Sequence, residues 1–191
     1  GHPISDGLDK YKKTVKDEKI ITLVPGSRIN EVKKLLPLFH KTVDMLYNCG
    51  YRGYKFVIPT VETTEKYIKQ DIKNWRIKPT LVCADERYSV YANTYIAIVA
   101  SGTVSAELAI MHIPTIVVYK MNPLTVLLAH ILLKIKWVSL VNILMDKSIF
   151  PELLGKKANP CAVVDSLQQL TLPSVRDAMV AELTKADNKW V

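Results

Sequence analysis

The feature that most constrains the fold is a regular alternation of short apolar, β-rich runs with longer segments of helical periodicity. The runs are continuously apolar rather than alternating in polarity, and turn residues such as Pro25 and Gly26 end them. Such runs are typical of strands buried on both faces, and strands that alternate with helices form a parallel sheet. The sequence therefore predicts an α/β fold, a Rossmann-like doubly wound parallel sheet with helices on both faces. The predicted strands are 20–24, 55–58, 80–83, 95–100 and 115–119.

Residues 1–19 show no hydrophobic period, and we interpret them as a polar lead-in segment. Residues 20–191 are long enough for one α/β domain with a buried core. Apolar spacing predicts helices at 27–50, 62–74, 87–92, 101–111, 123–135, 160–170 and 175–184.

Composition narrows the classes of function. The net charge of +8 suits a phosphorylated substrate, an anionic membrane or a nucleic acid. The early lysines lack the interleaved aromatic residues of a single-strand platform, so no nucleic-acid partner is expected. The chain contains neither GxxxxGK[ST] nor a GxGxxG after a strand, which argues against an ATPase or a nicotinamide dehydrogenase.

The cysteines at 49, 83 and 161 form no CxxC pair, and we interpret them as small packing residues. No disulfide, metal or cofactor is expected.

Two strand-to-helix turns carry candidate binding residues. In the first, Gly26 would let the backbone approach a ligand, Ser27 offers a hydroxyl and a helix N-cap, and Arg28 offers a planar fork for phosphate oxygens. A plain turn with a solvated arginine is an open alternative.

The second turn, Ser101, Gly102 and Thr103, follows the most strand-like run. Its backbone N–H groups would face an anion such as a diphosphate at the start of a helix. Glu107 lies one helical turn beyond Thr103, where its carboxylate could accept hydrogen bonds from both hydroxyls of a ribose. The alternative for Glu107 is a surface carboxylate without a ligand.

These turns belong to an ordered set of motifs at 23–39 (LVPGSR-x-x-EV-x-x-LLP-x-F), 100–107 (ASGT-x-x-x-E), 114–120 (P-x-VV-YK) and 138–154 (VSL-x-NIL, then PELL). The set resembles the C-terminal half of lipid-A-disaccharide synthase, an inverting bacterial glycosyltransferase built from two Rossmann-like domains (the GT-B type). The chain departs from the usual pattern at Val141, where proline is common, and at Gly155, where glutamine is common.

The resemblance implies that residues 1–19 lead from a first domain into a UDP-sugar-binding, Rossmann-like domain at 20–191. It also implies a UDP-diacylglucosamine donor, whose sugar is transferred to 2,3-diacylglucosamine 1-phosphate during lipid A biosynthesis. By resemblance, Arg28 contacts the donor diphosphate, and the turn at 101–103 contacts its phosphates. Glu107 contacts the ribose, and Asn142 lines the donor site. The acceptor site and general base would lie on a first domain that residues 1–191 do not include. We therefore name no catalytic residue and expect this chain to be inactive alone, acting with that domain at the cytoplasmic face of the inner membrane.

Other interpretations stay open. The chain could be the donor half of another UDP-N-acetylglucosamine enzyme, such as the peptidoglycan glycosyltransferase or an epimerase, or a basic membrane-surface domain without activity. The apolar segment at 124–135 is shorter than the about 20 residues that cross a bilayer. It is either an interfacial helix on an anionic membrane or a helix buried against a partner domain. Apolar surface left uncovered by the first domain would favour a homo-oligomer.

Overall fold

A computed structural model of the chain describes residues 19–120 and 136–187. Its strands form one six-stranded sheet in the order β3-β2-β1-β4-β5-β6, and every pairing is parallel. The strands are β1 Ile20–Val24, β2 Lys55–Pro59, β3 Thr80–Val82, β4 Ile96–Ala100, β5 Thr115–Tyr119 and β6 Glu152–Leu154.

The helices connect successive strands and then complete the chain. They are α1 Ile29–Asn48, α2 Glu62–Asp71, α3 Arg87–Asn93, α4 Val104–Ile110, α5 Leu140–Met145, α6 Pro160–Thr171 and α7 Pro173–Ala186. Short 3-10 turns lie at Ile72–Asn74, Ala84–Glu86 and Gly155–Lys157.

The order of the strands explains how helices come to cover both faces of the sheet. The chain steps one way through β1, β2 and β3, and then returns to β4 and steps the other way. Because parallel crossovers are right-handed, these two directions place their helices on opposite faces. Every residue of β4 is accordingly buried. The predicted doubly wound parallel sheet is confirmed.

The longest helix, α1, shows how the apolar pattern positions the first turn. Its stripe of Val32, Leu36, Phe39 and Val43 is completely buried, as the spacing predicts. The helix begins at Ile29 and not directly after Ser27. Ser27 is therefore not the N-cap residue. Arg28 occupies that position in an extended conformation, without a side-chain capping bond, because the turn after β1 is longer than expected.

Two short elements, α5 and β6, were not predicted. Side-chain hydrogen bonds define the start of α5, since the Ser139 hydroxyl accepts from the N–H of Asn142 at 3.3 Å. The helix ends at Asp146, which has a left-handed backbone with φ of 45°. Six-residue helices carry too few turns for a periodic signal. The helix predicted at 123–135 lies outside the described residues.

The expectation that the cysteines pack in the interior was wrong. Cys49, Cys83 and Cys161 are free thiols and all three are exposed. Each lies at the end of a helix or strand, where the chain leaves the buried stripe.

Candidate functional site

The candidate site is a cleft at the carboxyl ends of β1 and β4, where the order of the strands reverses. Ligands bind at this point in open α/β sheets. The two turns singled out in the sequence meet there, around a cavity of about 350 Å³. Seven of the eight predicted site residues line it: Gly26, Ser27, Arg28, Ser101, Gly102, Thr103 and Glu107.

Gly26 allows the first turn to approach the second. Its φ is +100°, a conformation that disfavours any side chain. A Cβ at this position would lie 2.7 Å from Glu31 Oε2 and 3.5 Å from Ala100 Cβ. Glycine is therefore required by both the backbone angle and the space available.

Arg28 stands at the mouth of the cleft with 83% of its side chain exposed. One guanidinium nitrogen, Nη1, lies 3.3 Å from Glu31 Oε1. A guanidinium has five N–H donors in a planar fork. This contact with Glu31 therefore leaves donors for the oxygens of an anion.

The second turn lines the cavity directly before α4. The carbonyl of Gly102 accepts from the N–H and the hydroxyl of Ser105, and the carbonyl of Thr103 accepts from Ala106 and Glu107. These bonds turn the carbonyls into α4, which begins at Val104 rather than at the turn itself. Nothing lies within 4 Å of the position of a Cβ on Gly102, so a ligand can approach the turn closely.

Glu107 forms the inner wall of the cleft, with 18% of its side chain exposed. Its Oε2 lies 3.9 Å from Arg87 Nε, and its carboxylate is hydrogen-bonded to the hydroxyl of Tyr88. Burial raises the pKa of Glu107, while Arg87 and the bond from Tyr88 act in the opposite direction. The carboxylate is thus a half-buried acceptor with Arg87 and Tyr88 as its partners.

Sequence reasoning missed Glu31, Arg87 and Tyr91, which also line the cleft. Arg87 donates through Nη2 to the Tyr88 hydroxyl at 2.8 Å and through Nη1 to the Ala84 carbonyl at 3.4 Å. Although burial lowers it, the pKa of Arg87 is raised by Tyr88 and Glu107, which stabilise the charged form. The position of Arg87 beyond the end of a third parallel strand was the signal that could have drawn attention to it.

Asn142 is not brought to the cleft. Its side chain is completely buried, where Oδ1 accepts from the N–H groups of Ile149 and Phe150, each at 2.9 Å. Its Nδ2 donates to the Phe150 carbonyl at 2.8 Å and to Glu152 Oε1 at 2.9 Å. In this structure the amide is fully used in holding the loop between α5 and β6, so its contacts do not support the role in lining the donor site that the resemblance implied.

Within 19–120 and 136–187, no three His, Cys, Asp or Glu side chains come together as a metal site requires.

Solved structures of glycosyltransferases share this fold. The chain is similar to a UDP-forming trehalose-phosphate synthase from Burkholderia xenovorans, with a TM-score of 0.60, 13% identity, and coverage of 98% of this chain and 46% of that one. It is also similar to MurG of Acinetobacter baumannii, with a TM-score of 0.58 and 12% identity, and the match covers 95% of this chain and 50% of MurG. The chain thus has the Rossmann-like fold of about half of each of these two proteins. The family described as lipid-A-disaccharide synthetase matches residues 1–185, and the chain belongs to this family.

Individual relatives agree with the family. The lipid-A-disaccharide synthase of Paramagnetospirillum magneticum is 33% identical over 192 residues, covering 95% of this chain and 49% of the relative. The probable mitochondrial lipid-A-disaccharide synthase of Arabidopsis thaliana is 32% identical over 160 residues, which cover 82% of this chain and 35% of the relative. The chain spans about half the length of the curated relatives that it matches.

Proposed function

We propose that this chain binds the nucleotide-sugar donor of a lipid-A-disaccharide synthase. The donor would be UDP-2,3-diacylglucosamine, and the complete enzyme would transfer its sugar to 2,3-diacylglucosamine 1-phosphate with inversion and release UDP. The observation that carries the proposal is the convergence of two distant turns, with Arg28 and Glu107, on one cleft in a member of this family.

The cleft offers groups for each part of UDP. The N–H groups of Gly102 and Thr103 and the guanidinium of Arg28 would bind the diphosphate, because all are donors to anionic oxygens. Gly26 would let the phosphates approach the backbone, and Ser27 would donate its hydroxyl. Glu107 would accept hydrogen bonds from the ribose hydroxyls, which a carboxylate is suited to do.

The transfer itself needs more than donor binding. An inverting reaction requires a base that takes the proton from the attacking hydroxyl of the acceptor. None of the cleft residues is assigned this role here. We place the base and the acceptor site on the other half of the enzyme, so that this chain alone holds the donor without consuming it.

Calorimetric titration of UDP into the chain tests the proposal. We expect binding in the micromolar to millimolar range and a loss of about tenfold in Arg28→Ala, the magnitude of one charge-assisted hydrogen bond. Arg52→Ala is the matched control, because Arg52 is an exposed arginine that does not line the cleft. Equal affinities in Arg28→Ala and wild type would reject the phosphate role of Arg28.

The same titration separates the other interpretations. Tight binding of UDP-N-acetylglucosamine in preference to the acylated donor would favour another UDP-sugar enzyme. No binding of UDP by folded protein would favour a membrane-surface domain without nucleotide binding, or a donor site completed only by the other half.

We also propose peripheral attachment to an anionic membrane at its cytoplasmic face, where diacylated substrates would be met. In the part of the chain that the structure describes, no helix is long and apolar enough to cross a membrane. Leu140, Ile143 and Leu144 are exposed on one face of α5, and exposed lysines at 136 and 147 flank this helix.

Sedimentation with vesicles tests the proposed membrane attachment. We expect the chain to bind vesicles that contain anionic lipid, and Ile143→Ser/Leu144→Ser to bind them more weakly. Equal binding by Ile143→Ser/Leu144→Ser and wild type would exclude α5 from the contact.

A further inference from the structure

Two residues at the start of α3, Arg87 and Tyr88, have no role in the donor contacts proposed above. Arg87 lines the cleft, and Tyr88 lies directly beside it in the chain. Both act on Glu107, the carboxylate proposed to bind the ribose. Their contacts suggest a role that depends on that proposed function.

The hydrogen bonds among these residues have a fixed direction. Arg87 Nη2 lies 2.8 Å from the Tyr88 hydroxyl oxygen. Arginine can only donate, so the Tyr88 oxygen accepts this bond. The Tyr88 hydroxyl is then the donor in its hydrogen bond with the Glu107 carboxylate. The relay runs from Arg87 through Tyr88 to Glu107.

Several contacts orient the guanidinium at the start of the relay. Arg87 Nη1 donates to the Ala84 carbonyl at 3.4 Å, and the Arg87 Cζ lies 4.4 Å from the centre of the Tyr88 ring. Arg87 Nε also approaches Glu107 Oε2 to 3.9 Å. These contacts direct the guanidinium toward Tyr88 and Glu107, and so favour one orientation of the Tyr88 hydroxyl.

We propose that Arg87 and Tyr88 are positioning residues that orient the carboxylate of Glu107 toward the ribose, and so let the cleft distinguish UDP from 2′-deoxy-UDP. The Tyr88 hydroxyl donates to the carboxylate, and the charge of Arg87 lies 3.9 Å from it. Glu107 also lines the cavity, where two ribose hydroxyls would donate to its remaining lone pairs. A deoxyribose offers one hydroxyl fewer and leaves a desolvated acceptor unpaired.

The relay also supports the charge of Glu107. The groups that face this carboxylate are Arg87, Tyr88 and Tyr91 on α3, and Arg28 and Glu31 line the same cleft near α1. Burial raises the pKa of Glu107, and Arg87 and Tyr88 lower it. Loss of the Tyr88 hydroxyl would raise this pKa further. The preference for ribose needs the ionised carboxylate. As the pH falls, the variant would therefore lose this preference at a higher pH than wild type does.

Calorimetric titration of UDP and of 2′-deoxy-UDP between pH 5 and pH 8 tests the proposal. The quantity followed is the ratio of the two affinities, because the terminal phosphate of both nucleotides also titrates near pH 6 and cancels in the ratio. Wild type is expected to prefer UDP by about tenfold at pH 8. Tyr88→Phe, which keeps the ring, should lower this preference roughly threefold. The pH at which the preference is lost on acidification should be higher in this variant than in wild type. Arg87→Met should act in the same direction.

Two further variants make the result decisive. Glu107→Gln should abolish the preference, and Tyr67→Phe, which removes a hydroxyl on α2 outside the cleft, should leave it intact. The proposal would be overturned if Tyr88→Phe had the same preference for UDP as wild type, with the same pH dependence. An equal loss of affinity for both nucleotides in Tyr88→Phe would overturn it as well. If wild type bound neither nucleotide, the proposed function itself would fail, and this inference with it.

Discussion

Charged side chains face one another in pairs within the cleft. Arg28 lies beside Glu31, and Arg87 lies beside Glu107, each pair within ion-pairing distance. The first pair is exposed at the mouth and the second is half-buried in the wall. A diphosphate that approaches Arg28 must compete with the carboxylate of Glu31. In the proposed donor site each carboxylate would therefore affect binding differently: Glu31 as a competitor of the phosphates, Glu107 as an acceptor for the ribose.

Replacing Glu31 by glutamine should increase the affinity for UDP. The substitution removes a negative charge beside the proposed phosphate site and frees Arg28, so we expect a gain of about threefold that shrinks as salt is added. Calorimetric titration of UDP and of uridine measures it, with no change expected for uridine. Glu65→Gln, which breaks an exposed ion pair with Lys69 on α2, is the control. A loss of UDP affinity in Glu31→Gln would show that Glu31 assists binding.

Replacing Gly26 by alanine should damage both stability and binding. The backbone angle alone costs about 1–2 kcal/mol of unfolding free energy for a residue with a side chain. Gly50 provides the matched control, because its φ is +102° and nothing lies within 4 Å of the position of its Cβ. We expect urea unfolding to show a similar loss in Gly50→Ala, and UDP affinity to fall only in Gly26→Ala. Unchanged UDP affinity in Gly26→Ala would place the phosphates away from this turn.

Among the elements, the strands were the most predictable, and the short elements after residue 136 were the least. Runs such as Thr115–Tyr119 were predicted with the bounds that the structure has, because a strand buried on both faces must be continuously apolar. The loop from α5 to β6 depends instead on specific hydrogen bonds of Ser139, Asn142 and Glu152. No periodicity encodes such bonds, so β6 was missed and Asn142 was expected in the cleft.

Replacing Asn142 by alanine should therefore destabilise the protein. The variant leaves the N–H groups of Ile149 and Phe150 and the carboxylate of Glu152 without this buried partner, for which we expect a loss of about 3 kcal/mol in urea unfolding. Asn93→Ala, which removes a side-chain bond to the Ser89 carbonyl, is expected to cost under 1 kcal/mol. Normal stability together with weak UDP binding in Asn142→Ala would restore the ligand role that the family resemblance implied.

At the scale of the whole molecule, the reversal of strand order is what assembles the cleft. The turns after β1 and β4 are far apart in sequence but follow neighbouring strands. Their meeting could be anticipated from the parallel sheet alone, because all carboxyl ends lie at one edge. The contribution of Glu31 could not be anticipated, since it depends on the path of its side chain from α1 into the cleft. The position of Arg87 after β3 was a signal for its presence at the cleft, but its contact with Glu107 depends on a side-chain path that no sequence pattern encodes.

The proposed division of the enzyme into two halves gives a prediction for activity. The chain alone should transfer no sugar from UDP-diacylglucosamine to diacylglucosamine 1-phosphate, because the base and the acceptor site are proposed to lie elsewhere. Addition of the first half of a relative, such as the P. magneticum synthase, should restore turnover if the halves associate. Mass spectrometry of the lipid product measures it, with Arg28→Ala in the mixture as the control. Turnover by the isolated chain would show that it contains its own base.

The most direct test of the central claim is the NMR titration of UDP into isotope-labelled protein, which shows where the nucleotide binds. We expect the backbone amides of Gly26, Gly102 and Thr103 to shift the most, and to saturate together at one dissociation constant. Amides of α5 and β6 should shift little. Shifts that concentrate away from the two turns, or a well-dispersed spectrum that UDP leaves unchanged, would contradict the assignment of the donor site to this cleft.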